Sequence, residues 1–261
     1  MKNNPRQEKV RIVAKQKIGR DYFKLSLCSP RISALAQAGQ FVVIRASTGD
    51  VPLLRRPFGV HHVGKASFDI LVEVVGTATK ILSQKKQGEY LDVIGPLGNG
   101  FRFGTQGTRH KTQVLVAGGM GVAPLFFLAE KLKGIPKVVL IGARNKKQVL
   151  CEKEFKKLGC DVKIATDDGS KGFKGKVTEL LREILVTGRK HATIYACGPK
   201  PMLKEISRIA KNNNLSGQIS LEEHMSCGIG ACLGCVVKTK TGLKRVCKEG
   251  PVFAAKDIIW A

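Results

Sequence analysis

The chain reads as an α+β multidomain protein of three parts: an antiparallel β-barrel, an α/β unit with a parallel sheet, and a small cysteine-bearing end. Three observations predict this. From Lys9 to about Gly100, short strand-like runs follow one another, punctuated by Gly and Pro. From residue 112 to about 213, strand and helix patterns alternate. Near the end, Cys227, Cys232 and Cys235 stand at C-x4-C-x2-C spacing, with Cys247 following a polar hairpin. The expected parts are residues 1–105, 106–213 and 214–261.

The first part holds six strand candidates: Val10–Ala14, Tyr22–Leu27, Phe41–Arg45, Phe58–Val63, Phe68–Val75 and Tyr90–Ile94. They are rich in β-branched and aromatic residues, and their spacing suits a small closed barrel. One apolar helical turn, Thr79–Ser83, interrupts them. Two spots here suit an anion. In Leu54-Arg55-Arg56-Pro57-Phe58-Gly59, a proline fixes the backbone after an arginine, which can then offer its guanidinium to a phosphate; Arg-Pro is also an ordinary strand start. In Val75-Gly76-Thr77-Ala78-Thr79, small residues and hydroxyls open a helix, which serves either as an anion site or as a plain N-cap.

In the second part the strand Gln113–Ala117 runs into Gly118-Gly119-Met120-Gly121-Val122-Ala123-Pro124 and the helix Leu125–Leu132. Strand Val138–Ala143, helix Glu152–Leu158, strand Val162–Thr166, helix Val177–Leu185, strand Thr193–Ala196 and helix Met202–Asn212 follow. The alternation argues a parallel sheet with helices on both faces and ligands at the carboxyl ends of the strands. Glycines at 118, 119 and 121 would let the backbone approach a pyrophosphate, or would simply make a tight strand-to-helix turn. Cys197-Gly198-Pro199 ends another strand, where a nicotinamide or substrate ring has room; no histidine accompanies Cys197 in sequence, so it need not be a nucleophile. Arg144-Asn145 and Asp167-Asp168-Gly169-Ser170 lie at other strand ends, as ribose contacts or as ordinary loops. No acidic residue stands about 20 residues after the glycine turn, as a standard dinucleotide fold requires.

The cysteine spacing is the plant-type pattern for a [2Fe–2S] cluster, with Cys227, Cys232, Cys235 and Cys247 as ligands. Gly228, Gly230 and Gly234 fall between the first three, so the loop can wrap a cluster with its amides turned toward sulfur. A C-x2-C pair also serves structural zinc, but normally with a second such pair or a paired histidine motif, and neither is present. His224, three residues before Cys227, is the one nearby histidine. Disulfides do not suit a reducing compartment.

The 261 residues and the 43% apolar content supply a sizeable core. No apolar run approaches a membrane span and the first five residues are polar, so a soluble cytoplasmic protein without membrane contact is expected. The net charge of +25 admits nucleic-acid binding through a basic face, the steering of anionic partners, or lysines spread over solvated surface. The longest basic runs are pairs such as Lys85-Lys86 and Lys146-Lys147, and aromatics make up only 6%, which favours the spread lysines over nucleic acid.

Arg56-Pro57-Phe58-Gly59, the stretch from Gly118 to Leu125, Cys197-Gly198-Pro199-Lys200-Pro201-Met202, the loop from Met225 to Cys235 and Val246-Cys247-Lys248-Glu249-Gly250-Pro251-Val252-Phe253 together resemble the electron-transfer subunit of class B dihydroorotate dehydrogenase. That subunit is of the ferredoxin-NADP reductase type, and the resemblance covers nearly the whole chain. It implies FAD in the barrel, NAD(H) on the α/β unit and one [2Fe–2S] cluster. Arg56, Pro57, Phe58, Gly59, Leu71, Val72 and Glu73 would lie along the flavin, and Ala78 and Thr79 would cradle its phosphates. Gly118, Gly119, Gly121, Cys197, Gly198 and Pro199 would meet NAD. The chain departs from the family at Gly59, where the family usually has Ser, at Ala78, usually Gly, and at Glu73, often basic.

The implied function is a relay in pyrimidine biosynthesis. Dihydroorotate is oxidised on a partner subunit carrying FMN, and electrons pass through [2Fe–2S] and FAD to NAD+. The implied assembly is a heterotetramer of two catalytic and two electron-transfer subunits. No acid, base or nucleophile is expected from this chain. Two other readings stand beside it: a similar reductase serving a hydrogenase or a ferredoxin-linked transhydrogenase, and a basic, zinc-bearing nucleic-acid-binding protein.

Overall fold

The computed structural model describes residues 5–103, 112–186 and 192–260. The polar lead-in at residues 1–4 and the expected boundary between residues 105 and 106 lie outside the described residues. Six strands build the first part: β1 (Arg6–Lys17), β2 (Tyr22–Cys28), β3 (Phe41–Arg45), β4 (Arg56–Val63), β5 (Ser67–Glu73) and β6 (Tyr90–Leu97). They close a barrel in the order β1-β2-β5-β4-β3-β6, every pairing antiparallel. Closure leaves no open edge, and alternate residues fill the interior: Val10 and Ile12, Leu25 and Leu27, Phe68 and Ile70 are all fully buried.

Two helices decorate the barrel. α1 (Pro30–Leu35) has no counterpart in the sequence reading; Ser29 caps it by accepting the Ile32 N–H, and Pro30 opens it. α2 (Thr77–Gln84) begins two residues before the expected turn. β5 stops at Glu73 rather than Val75, because the chain there turns into the α2 entry.

The second sheet runs β10-β9-β8-β7-β11-β12-β15. Its strands are β7 (Gln113–Gly118), β8 (Lys137–Ala143), β9 (Asp161–Thr166), β10 (Phe173–Lys174), β11 (Thr193–Cys197), β12 (Ser216–Ser220) and β15 (Val252–Ala254). All pairings are parallel except that of β15 with β12. The central strands are apolar on both faces, as helices on both sides demand. Leu115, Ala117, Val139, Ile141 and Tyr195 face the core shared with the barrel, while Val114, Val116, Val138, Leu140 and Ile194 face the other core. α3 (Val122–Lys131) and α4 (Glu152–Lys157) pack on the first side, α5 (Val177–Val186) and α6 (Lys200–Asn212) on the second.

α3 and α6 start earlier than their apolar patterns suggested. Pro124 and Pro201 sit in their first turns, where a missing N–H leaves no bond unmade. The last part is built onto this sheet: β12 extends it, and after an excursion the chain returns as β15 at its edge. Between them the cysteine loop and a two-stranded hairpin, β13 (Val236–Thr239) and β14 (Gly242–Arg245), form the expected polar hairpin.

Candidate functional site: a cleft and a cysteine loop

A cleft of about 910 Å3 opens between the barrel and the carboxyl ends of β7, β11 and β12. Arg56, Pro57, Phe58 and Gly59 of β4, Leu71 and Glu73 of β5, and Ala78 and Thr79 of α2 all line it. Val72 does not: strand alternation turns it away, and it is fully buried. The barrel's two arginines divide their work. Arg55 pairs with Asp92 at 2.7 Å and braces the wall. Arg56 donates to the Leu54 carbonyl at 2.7 Å and borders the cleft.

At the α2 entry the Thr79 hydroxyl accepts the Val75 and Gly76 N–H groups at 2.9 and 3.1 Å and donates to the Gly76 carbonyl. Its hydroxyl is therefore spent on shaping the turn. The amides of the first helical turn, beside the small side chains of Gly76 and Ala78, are left to meet an anion. That suits a pyrophosphate, and the departure at Ala78 leaves the backbone donors in place.

From the sheet side, Cys197, Gly198 and Pro199 line the same cleft, whereas Gly118, Gly119 and Gly121 do not. The glycine turn instead locks onto the Cys197–Pro199 turn. A Cβ on Gly121 would lie 2.0 Å from the Cys197 carbonyl oxygen, and one on Gly118 would lie 2.8 Å from Pro199. Arg144-Asn145 and Asp167–Ser170 fall at the ends of β8 and β9, and the Asn145, Asp167 and Asp168 side chains are engaged there. Asn145 accepts the Lys147 N–H, Asp168 accepts the Ser170 N–H, and Asp167 pairs with Lys176 at 3.1 Å.

The sequence reading did not single out Met120, Pro124, Glu222 or Glu223 on the cleft wall. Glu223 pairs with Lys200 at 2.6 Å. Glu222 Oε1 lies 4.0 Å from Cys197 Sγ; enclosure by the walls, then the charge of Glu73, raises its pKa. Burial first, then Glu222, pushes the Cys197 thiol well above its ordinary range. Burial and a hydrogen bond donated to Glu73 push Tyr22 up to about 12. His224 lines the cleft as well, with Met225 beside it.

The chain passes directly from this wall into the cysteine loop. The four cysteines fall into two couples. Cys232 donates a hydrogen bond to Cys227, and the Cys247 N–H donates to Cys235 Sγ at 3.4 Å. Among the described residues no three ligand-type side chains converge as on a single ion. The amides turn inward as a sulfur-rich anion requires: Ala231 N–H reaches Cys227 Sγ at 3.3 Å and Gly234 N–H reaches Cys232 Sγ at 3.4 Å. Burial opposes ionisation of Cys227, but hydrogen bonds from the Cys232, Ile229 and Ala231 backbone and from the Cys232 side chain outweigh it and bring its thiol down to about 6. Gly228 adopts φ +71, and its Cα packs so near Val43 of β3 that a Cβ would lie 2.6 Å from the Val43 methyl. Leu233 takes a left-handed φ of 60, and both it and Ile229 stand exposed on the loop.

Comparison with known proteins decides the family. A family model described as the iron–sulfur cluster binding domain of dihydroorotate dehydrogenase B matches residues 222–259, and an oxidoreductase NAD-binding domain matches residues 115–208. The electron transfer subunit of dihydroorotate dehydrogenase B (NAD(+)) from Desulforamulus reducens is 42% identical over 258 residues, spanning 96% of this chain and 97% of that protein. The chain belongs to this family of electron transfer subunits.

The subunit of the same name from Enterococcus faecalis is 38% identical over 263 residues, with 97% and 98% covered. A solved structure of NADH-dependent reduced ferredoxin-NADP oxidoreductase superposes with TM-score 0.86 at 35% identity, covering 96% of this chain and 90% of that one. The ferredoxin reductase of carbazole 1,9a-dioxygenase, at TM-score 0.71 and 19% identity over 82% of this chain and 68% of that one, shares the fold. As in other electron transfer subunits of this family, FAD, NAD and an iron–sulfur cluster are the cofactors; the cluster match begins at Glu222 on the cleft wall and spans all four cysteines. Family membership removes the zinc-bearing nucleic-acid reading.

Proposed function

We propose that this chain relays electrons from the oxidation of dihydroorotate, on an FMN-bearing catalytic partner, to NAD+ in the cytoplasm, as a step of pyrimidine biosynthesis. The catalytic partner follows from the family, and a two-plus-two assembly is part of the same reading. Among the described residues no helix is long and apolar enough to cross a membrane. When bound, the cluster would supply one-electron transfer and FAD the coupling of single electrons to hydride exchange with NAD+.

The chain's own residues hold and separate these groups. Arg56–Gly59, Leu71 and Glu73 form the wall for a flavin ring, while Val72 supports it from behind. Gly76, Ala78 and the α2 amides receive its phosphates, with Thr79 shaping the turn. Cys197, Gly198 and Pro199 border the nicotinamide position, with Gly118, Gly119 and Gly121 packed behind them. Cys227, Cys232, Cys235 and Cys247 hold the cluster. On this reading residues 1–105 carry FAD, 106–213 carry NAD and 214–261 carry the cluster, the last built onto the sheet of the second.

One observation carries the proposal: both ends of the cysteine segment are tied to the cleft wall. Met225 lines the cleft two residues before Cys227, and Pro251 lines it four residues after Cys247. Two residues of chain span at most about 7 Å, so the cluster lies next to the flavin site. Exposed Ile229 and Leu233 then face the partner, on the side where electrons enter.

The Cys232→Ser substitution tests the order of the relay. Orotate-linked NAD+ reduction by the complex should be lost, while NADH-to-dye reduction largely persists. Loss of both activities with FAD still bound would refute the order. The similarity to a ferredoxin-NADP oxidoreductase favours a second reading, a reductase for another partner. Co-purification with a flavin-bearing catalytic subunit and orotate-dependent NADH oxidation separate the two.

A further inference from the structure

We propose that Arg245, gripped by Glu249, is a positioning residue that orients the cysteine loop and sets the potential at which the cluster takes up an electron. The proposal rests on the reading of Cys227, Cys232, Cys235 and Cys247 as cluster ligands. Arg245 ends β14 two residues before Cys247, and Glu249 stands two residues after it. Arg245 Nη1 donates to the Gly230 carbonyl at 2.7 Å, in the middle of the Cys227–Cys232 loop. The other face of the guanidinium is held by both Glu249 oxygens, Nε at 3.0 Å and Nη2 at 2.5 Å. The Arg245 backbone N–H also donates to Glu249, at 2.7 Å. Each of the three guanidinium nitrogens is thus held by a partner, which a lysine at this position would not reproduce.

The consequence follows from peptide geometry. Gly230 C=O and Ala231 N–H belong to one planar trans peptide and point in opposite directions. By holding the carbonyl outward, Arg245 turns the Ala231 N–H inward onto Cys227 Sγ, where it sits at 3.3 Å. Reduction adds negative charge to the cluster. An inward N–H and a nearby cation both favour the reduced state, and a nearby carboxylate opposes it. The segment is further pinned to the barrel, because Asn99 donates to the Lys248 and Glu249 carbonyls at 3.1 and 2.9 Å. The side chains of Arg245 and Glu249 are 27% and 30% exposed, so water screens the pair only in part.

The test is an anaerobic redox titration of the full chain, followed by the electron paramagnetic resonance of the reduced cluster, with iron assayed for each variant. Arg245→Gln should lower the midpoint potential and Glu249→Gln should raise it, while Arg245→Lys should recover part of the loss. NADH-to-dye activity should be unchanged in all three. A purely structural ion pair predicts shifts of the same sign, or none, and either result at full iron content overturns the proposal. If Arg245→Gln fails to hold iron, Glu249→Gln decides: an upward shift supports the proposal, and no shift or a downward one overturns it. Absence of iron and of the resonance from the unaltered chain would overturn the cluster reading itself, and this proposal with it.

Discussion

Replacing Gly121 by alanine asks whether the glycine turn after β7 exists for packing or for a ligand. A Cβ there would lie 2.0 Å from the Cys197 carbonyl oxygen, 2.4 Å from its carbon and 3.0 Å from the Gly198 nitrogen. All three are backbone atoms in the paired register of β11 and its turn, so no side chain can swing aside. Ordinary contact needs the two turns to separate by more than about 1 Å, and overpacking of this kind costs about 3 kcal/mol, the upper end of the usual range. At about 2–4 °C per kcal/mol for a chain of this size, melting should fall by about 6–12 °C. Gly119 is the control: its added Cβ meets nothing within 4 Å, and its φ of +53 charges alanine only the left-handed penalty of about 1–2 kcal/mol. Thermal melting of the FAD-loaded chain measures both variants, and the KM for NADH reports the cleft. If Gly121→Ala melts like the parent, or no lower than Gly119→Ala, the packing account is wrong.

Arg56→Ala removes the cation at the cleft edge. One charged hydrogen bond is worth about 1.5–3 kcal/mol, so FAD retention in equilibrium dialysis should weaken by about 10–100-fold, whereas unchanged retention would place the phosphates elsewhere. Gly59→Ser should be tolerated, since its Cβ would lie 3.6 Å from Pro124 and its φ is not left-handed; melting should hold or rise while the flavin spectrum or midpoint shifts, and a lower melting temperature would count against the fit. His61 and His62 give opposite pH effects. The hydrogen bond from His62 to Glu130, which joins β4 to α3 at 2.7 Å, raises the His62 pKa, so its contribution is complete below the unfolded value of 6.5 and is lost as pH rises through the folded one. Burial lowers the His61 pKa, so its contribution is present at neutral pH and is lost as the solution is acidified below 6.5. Melting of His62→Gln from pH 8 to 5 should therefore show a steeper acid loss than the parent, and an identical profile would refute the assignment.

Local sequence revealed what local physics controls. The barrel strands were legible because β-branched and aromatic residues recur between glycines and prolines, and Phe41–Arg45 falls where it was expected. The cysteine loop was legible because a short wrap around sulfur needs glycines at fixed places. β12 was not, since Ser-Gly-Gln-Ile-Ser has no apolar run; it is a strand because β11 on one side and β15 on the other complete its hydrogen bonds. Glu222 and Glu223 follow from β12, so the cleft wall they form was hidden with it. The glycines at 118 and 121 were visible, but their partner was not: only the register of β7 against β11 brings the Cys197–Pro199 turn onto them.

The placement of β12 and β15 explains why a cluster segment can serve a flavin it never follows in sequence. If residues 214–261 folded as a separate module on a tether, the gap between cluster and flavin would vary and electron transfer with it. Instead the segment leaves the sheet at Ser220, crosses the cleft wall, wraps the cysteines against Val43 of β3, and returns to the same sheet at Val252. Val43 pairs with Pro57 on the adjacent strand β4, which lines the cleft. The cysteine loop and the cleft wall thus meet at one pair of strands. A glycine at 228 is what lets the loop lie that close, so the spacing between loop and cleft is set by the barrel's own register and not by a flexible joint.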